Sequence, residues 1–197
     1  MKPDRETEIK LPAPGRRPVV KCLAPLGLAV VEARHLERNC VFDFPDLRLS
    51  KSRHLLRLRR AAGVYLLTLK GPPRRARRYA SRAEFETRVE NGPLLCQIFA
   101  KLGLEPVFRY EKYRTLFAAP SQTRDHRRPQ VAYDETPIGD FLELEGPEKW
   151  IDRIAARLGY APRHYITSTY LALYLRKCRE QGKKPANMLF RRRRSSS

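Results

Sequence analysis

The sequence predicts an α+β protein in which eight β-strands close into a barrel and helices flank it. Three observations predict this. Short stretches that alternate charged and uncharged residues recur along the chain, each fitting a strand with one apolar and one charged face. The charges on these stretches are sorted by sign, acids with acids and bases with bases. A solvated face gains nothing from such sorting, whereas a closed lumen that binds metal and polyphosphate requires it. Three longer stretches keep helical spacing, one between strands and two after the last.

The elements follow in order. A strand over 5–10 contains Glu6-Thr7-Glu8-Ile9-Lys10. Side chains two apart in a strand share a face, so Glu6, Glu8 and Lys10 lie together, opposite Thr7 and Ile9. Neighbouring carboxylates repel unless something positive sits between them. An oxygen-liganded divalent cation would do so, and a phosphate on that cation could reach the lysine. Pro12, Pro14 and Pro18 resist helix before about Val19, which leaves a short helix over 19–26.

A second strand is expected over 37–44. The third, 54–60, holds Leu56-Arg57-Leu58-Arg59, with two guanidiniums on one face. Gly63 marks a turn into 64–71, which ends near Lys70, and Gly71-Pro72-Pro73 marks the next turn. The strand over 83–90 repeats the paired acids in Glu84-Phe85-Glu86. A helix over 93–101 is capped by Asn91 and ended by Gly103. The strand 107–117 pairs Lys112 and Arg114 around Tyr113. The polar segment 118–128 is read as a mobile flap. Strands 129–135 and 139–146 bring Asp134, then Glu143 and Glu145 between large apolar residues. A helix begins at Pro147 and stops before Gly159, with Trp150, Ile151, Ile154 and Leu158 facing the barrel exterior. A last helix over 167–181 presents Tyr170, Leu171, Leu173, Tyr174 and Leu175, which are read as core.

Composition fits one domain over 1–190 followed by a basic tail, 191–197, expected to be disordered. Hydrophobic residues make up 42% of the 197, and the net charge is +20. Such an excess attracts polyanions. The tail, Arg191 to Ser197, and the cluster Arg74-Arg75-Ala76-Arg77-Arg78 are candidate polyanion contacts. Cys22, Cys40, Cys96 and Cys178 form no Cys-x-x-Cys pair, and the four histidines have no zinc spacing, so the thiols are read as reduced. No apolar stretch is long enough to span a bilayer and no signal-peptide pattern opens the chain, which predicts a cytoplasmic protein without membrane contact.

The motifs together resemble the CYTH family, also called triphosphate tunnel metalloenzymes, which includes class IV adenylate cyclases, thiamine triphosphatases and inorganic triphosphatases. The family's Glu-x-Glu-x-Lys strand is matched by Glu6, Glu8 and Lys10. Its Arg-x-Arg strand is similar to Arg57 and Arg59, and its following lysine to Lys70. Its middle Glu-x-Glu strand resembles Glu84 and Glu86, its basic pair Lys112 and Arg114, its aspartate Asp134, and its last Glu-x-Glu strand Glu143 and Glu145. The proline-rich stretch after the first strand departs from the family, which usually has an amphipathic helix there.

The resemblance implies a closed eight-stranded antiparallel barrel with flanking helices. It implies Mg²⁺ or Mn²⁺ held by Glu6, Glu8, Asp134, Glu143 and Glu145, with Glu84 and Glu86 as further candidates. Lys10, Arg57, Arg59, Lys70, Lys112 and Arg114 would grip the phosphates. Glu6, Glu8, Lys10 and Lys70 are the candidate catalytic residues. The substrate would be tripolyphosphate, thiamine triphosphate or ATP. The chemistry would be hydrolysis of the terminal phosphate, or attack of a ribose 3′-hydroxyl on the α-phosphorus to give cyclic AMP and pyrophosphate. No nucleobase reader is recognisable, which places hydrolysis first. A non-catalytic polyphosphate or nucleic-acid binder is the competing class. It is supported by the net charge and opposed by the carboxylate pairs.

Overall fold

The alternating stretches become strands, and the strands close on themselves. The computed structural model describes residues 4–73, 78–120 and 129–191. The order in chain is β1 (Asp4–Pro12), α1 (Arg16–Leu23), β2 (Ala29–Asp43), α2 (Arg48–Lys51), β3 (Leu55–Ala61), β4 (Val64–Lys70), β5 (Ala80–Val89), α3 (Gly92–Lys101), β6 (Glu105–Ala118), β7 (Gln130–Thr136), β8 (Gly139–Glu145), α4 (Glu148–Arg157) and α5 (Tyr170–Glu180), with short 3-10 turns at Ala24–Leu26 and Pro162–His164. Around the barrel the strands run β1-β5-β4-β3-β2-β6-β7-β8, and β8 pairs back onto β1. Every pairing is antiparallel. Closure leaves no unpaired sheet edge, and the period of two then assigns every strand residue to the lumen or to the outside.

The hairpins follow from local chemistry. Between β3 and β4, Ala62 and Gly63 both take positive φ, 48° and 80°, the sign pattern of the tight turn that matches strand twist. At the head of α3, the side-chain oxygen of Asn91 accepts the Leu94 amide at 2.9 Å, as the sequence predicts. Gly92 follows because a Cβ there would lie 2.3 Å from the Tyr65 ring.

The outward faces build the core. Ile9, Leu11, Val131, Tyr133, Leu142 and Leu144 of β1, β7 and β8 pack under Val19 and Leu23 of α1 and Ile151, Ile154 and Ala155 of α4. Each such side chain, once buried, contributes about 1.5–3 kcal/mol. Trp150 and Leu158 line the same cluster, as the helical spacing predicts. A second outer cluster seats Phe99 of α3 on Phe42 and Leu58. The third cluster lies at one end of the barrel. There Val41, Phe108 and Tyr110 meet Tyr170 and Leu173 of α5 and Met188, so α5 forms a floor under the lumen.

Three expectations change. α1 starts at Arg16 rather than near Val19, because Pro18 falls in its first turn, where backbone N–H groups have no intrahelical partner to lose. β2 begins at Ala29, eight residues before the predicted 37, and pairs with β6 through register shifts. Tyr170 is not simply core, as shown below. Only Cys178 among the four free thiols is fully buried, and Cys22 is exposed. The expected flap lies largely at 121–128, the basic cluster largely at 74–77 and the tail at 192–197, all outside the described residues. Among the described residues no helix is long and apolar enough to cross a membrane.

Candidate triphosphate site

One wall of the lumen is organised around Asp134, which has no exposed surface. Its carboxylate accepts Lys112 Nζ at 2.9 Å, both Nε and Nη2 of Arg114 at 2.7 Å, and the Tyr170 hydroxyl at 2.7 Å. Glu143 accepts from Arg114 and lies 3.2 Å from Lys10 and 3.7 Å from Lys112. Lys10 donates to Glu8 at 2.7 Å. Glu37 sits 3.5 Å from Lys112, 3.3 Å from Arg59 and 4.0 Å from Arg114. The Tyr170 ring lies beneath both lysines, 5.2 Å from Lys10 Nζ and 5.1 Å from Lys112 Nζ. Cation–π attraction there offsets part of the cost of burying two ammonium groups.

The opposite wall carries the guanidinium pair. Arg57 donates through Nη1 to Tyr110 Oη at 3.4 Å and through Nη2 to Thr68 Oγ1 at 3.2 Å. Arg59 donates to Glu37 at 3.3 Å and to Glu86 at 3.2 Å, and Thr68 donates to Glu86 at 2.8 Å. Lys70 donates to Glu6 at 2.5 Å and lies 3.3 Å from Glu84. The terminal guanidinium nitrogens are thus pinned, while the Nε atoms of Arg57 and Arg59 are buried without a hydrogen-bond partner.

These surroundings set the charge states. Burial would lower the Lys10 pKa, but Glu8 and Glu143 hold it raised, and Glu6 and Glu8 do the same for Lys70. Burial would raise Glu143 and Glu37, yet Lys112 and the other nearby bases keep both well below the usual carboxylate range. Glu145 behaves oppositely. Burial and then the neighbouring charge of Glu6 push it up to about 8, against a hydrogen bond from Gln130, at 3.0 Å, and the charge of Lys70.

All thirteen residues that the sequence singles out face the lumen, but they do not form one group. Lys10, Lys112, Arg114, Asp134 and Glu143 meet on one wall. Arg57, Arg59, Lys70, Glu84, Glu86 and Glu6 occupy the other. Glu8 and Glu145 face each other across β1 and β8. Among the described residues no three acids, histidines or cysteines converge as a ready metal cage. The strand alternation did not reveal Glu37, Asn39, Thr68, Tyr110 and Tyr170. In β2 the inward residues are His35, Glu37 and Asn39, of mixed charge, so sorting by sign does not mark them. Tyr170 hides inside an apolar helical face.

A model of the CYTH domain matches residues 4–153. A provisionally named adenylate cyclase from Methanocaldococcus jannaschii is 28% identical over 141 residues, covering 71% of this chain and 75% of that protein. Among solved structures, a provisionally named adenylate cyclase from Vibrio parahaemolyticus superposes with a TM-score of 0.73 at 16% identity, over 87% of this chain and 98% of that one. A Pyrococcus horikoshii protein gives 0.69 at 21% identity, over 87% and 99%. An adenylyl cyclase-like protein from Hippeastrum, described as having a dominant triphosphatase activity, gives 0.58 at 17% identity, over 94% and 98%. At these identities the structural matches speak for the fold, which is the same closed barrel. With the family model spanning most of its length and the charged strands in place, the chain belongs to the CYTH domain family.

Proposed function

We propose that this protein binds a triphosphate in the barrel lumen together with Mg²⁺ or Mn²⁺ and hydrolyses its terminal phosphate. The observation that supports this most is the arrangement of Lys10, Arg57, Arg59, Lys70, Lys112 and Arg114. Six cations from four strands are inward-facing, nearly buried and fixed by carboxylates on opposed walls. Cations oriented before substrate arrives stabilise phosphoryl charge without further reorganisation.

Glu6, Glu8 and Glu145 form no closed cage in this structure, where Glu6 and Glu8 are each bonded to a lysine, but their carboxylate oxygens are the donors a hard divalent cation takes. Burial and the neighbouring charge of Glu6 push Glu145 up to about 8, so the acids at this end of the lumen outweigh the charge that Lys70 supplies there. Oxygen ligands of this kind suit Mg²⁺ or Mn²⁺. Glu6, Glu8 and Glu145 would hold the ion, which when bound supplies Lewis-acid polarisation of phosphate oxygens. In this reading Asp134 and Glu143 leave the metal set and act on the protein's own bases, since their oxygens are taken by Lys10, Lys112, Arg114 and Tyr170. Glu84 and Glu86 do likewise for Lys70 and Arg59. Arg57 and Arg59 clamp the phosphates through planar forks, and Lys10 and Lys70 neutralise charge as it develops.

Cyclisation of ATP is the second reading, favoured by the adenylate cyclase name of the Methanocaldococcus relative. The Hippeastrum neighbour's described activity supports hydrolysis as chemistry this fold can host. Incubation with ATP and Mn²⁺ separates the two. Orthophosphate and ADP as products support the first reading. Cyclic AMP and pyrophosphate would replace it with the second.

A further inference from the structure

Asn39 is the one inward amide in the middle of β2. It is 3% exposed, and neither its Nδ2 nor its Oδ1 has a hydrogen-bond partner. Burying an amide in that state is costly, so it persists only if something else engages it. Its place in the barrel says what that is. Across β2 and β3 it faces Arg59, across β2 and β6 it faces Tyr110, and Glu37 and Val41 flank it on the same face. Tyr110 and Val41 belong to the floor over α5, so Asn39 stands level with Tyr110 at the edge of that floor. Around it the Nε groups of Arg57 and Arg59 are also buried without a partner, as is Glu37 Oε2, whose charge faces Lys112 at 3.5 Å. Each terminal nitrogen of the two arginines already donates one bond, to Tyr110, Thr68, Glu37 or Glu86, whereas the Nε atoms donate to nothing.

We infer that Asn39, with the Nε edges of Arg57 and Arg59, forms a phosphoryl subsite at the floored end of the lumen that receives one end of the triphosphate. The Asn39 amide nitrogen and the two Nε atoms, on paired strands, are donors without acceptors and match the oxygens of a terminal phosphoryl group. The amide oxygen matches a hydroxyl or water hydrogen carried in with it. The inference rests on the triphosphate reading above and assigns a residue that the charged motifs leave out.

The test uses the full-length protein, tripolyphosphate and Mn²⁺, with binding measured by calorimetry and unfolding followed thermally. Asn39→Ala is expected to weaken tripolyphosphate binding by about tenfold or more, the equivalent of one lost hydrogen bond to a charged group. Its ligand-free unfolding midpoint should stay level or rise, because the amide makes no internal bond. Asn39→Asp, of the same size, should bind more weakly still, since it sets a negative charge against phosphate. It also provides the reading if the alanine variant fails to fold. Wild-type binding with both variants within twofold would overturn the subsite while leaving the triphosphate reading intact. A lower midpoint with unchanged binding would make Asn39 structural and overturn it as well. No binding of tripolyphosphate by the wild type would overturn both readings together.

Discussion

Replacing Asp134 by asparagine should destabilise the fold severely. Asp134 is fully enclosed and accepts four hydrogen bonds, from Lys112, Arg114 twice and Tyr170. The amide is nearly the same shape but carries no charge and can accept on one side only. Two buried cations then lose a counter-ion, and a broken buried pair costs about 3–5 kcal/mol. Glu37 and Glu143 remain 3.5 Å and 3.7 Å from Lys112 and offset part of the loss, which favours the lower figure. For a chain of this size each kcal/mol moves the unfolding midpoint by roughly 2–4 °C, so a fall of about 6–12 °C is expected. Differential scanning calorimetry of the two proteins at neutral pH measures it. A midpoint within about 2 °C of the wild type would refute the idea that Asp134 organises the basic wall.

The remaining predictions concern the lumen's charges. Glu6→Gln or Glu8→Gln should abolish cation-dependent turnover with the far-ultraviolet circular dichroism unchanged, and full activity at ordinary Mg²⁺ would remove these residues from the cation site. Arg57→Lys should keep charge but lose the fork held between Tyr110 and Thr68, raising KM for tripolyphosphate about tenfold; an unchanged KM would contradict the clamp. Glu145 is raised in the folded state, so the unfolded chain gives up its proton first and stability is lost as pH climbs from the usual carboxylate range to about 8. Glu145→Gln should flatten that slope in midpoints measured across this window, and a parallel slope would show that another group causes it.

The strands were legible because a lumen imposes a period of two and sorts acids from bases, so Glu6-Thr7-Glu8-Ile9-Lys10 and Leu56-Arg57-Leu58-Arg59 announce their faces. The helices were legible from caps such as Asn91 and from apolar spacing around Ile151 and Ile154. What stayed hidden depends on contacts between distant elements. Tyr170 reads as core from its helix, yet its hydroxyl reaches Asp134, 36 positions away in sequence. Glu37 shares its strand face with His35 and Asn39, of unlike charge, so only its register with Lys112 and its ion pair with Arg59 reveal its role. The division of the acids was equally hidden. Spacing makes Glu143 and Glu145 twins, but three nearby bases hold the first ionised while burial and then Glu6 raise the second.

The central claim is that the lumen turns over a triphosphate only with a divalent cation. Phosphorus NMR of the purified protein with tripolyphosphate follows this directly, first with Mn²⁺ and then after chelation. The account predicts orthophosphate and pyrophosphate appearing together with Mn²⁺ and ceasing when it is removed. No turnover with Mn²⁺ or Mg²⁺, or turnover that persists after chelation, would contradict it.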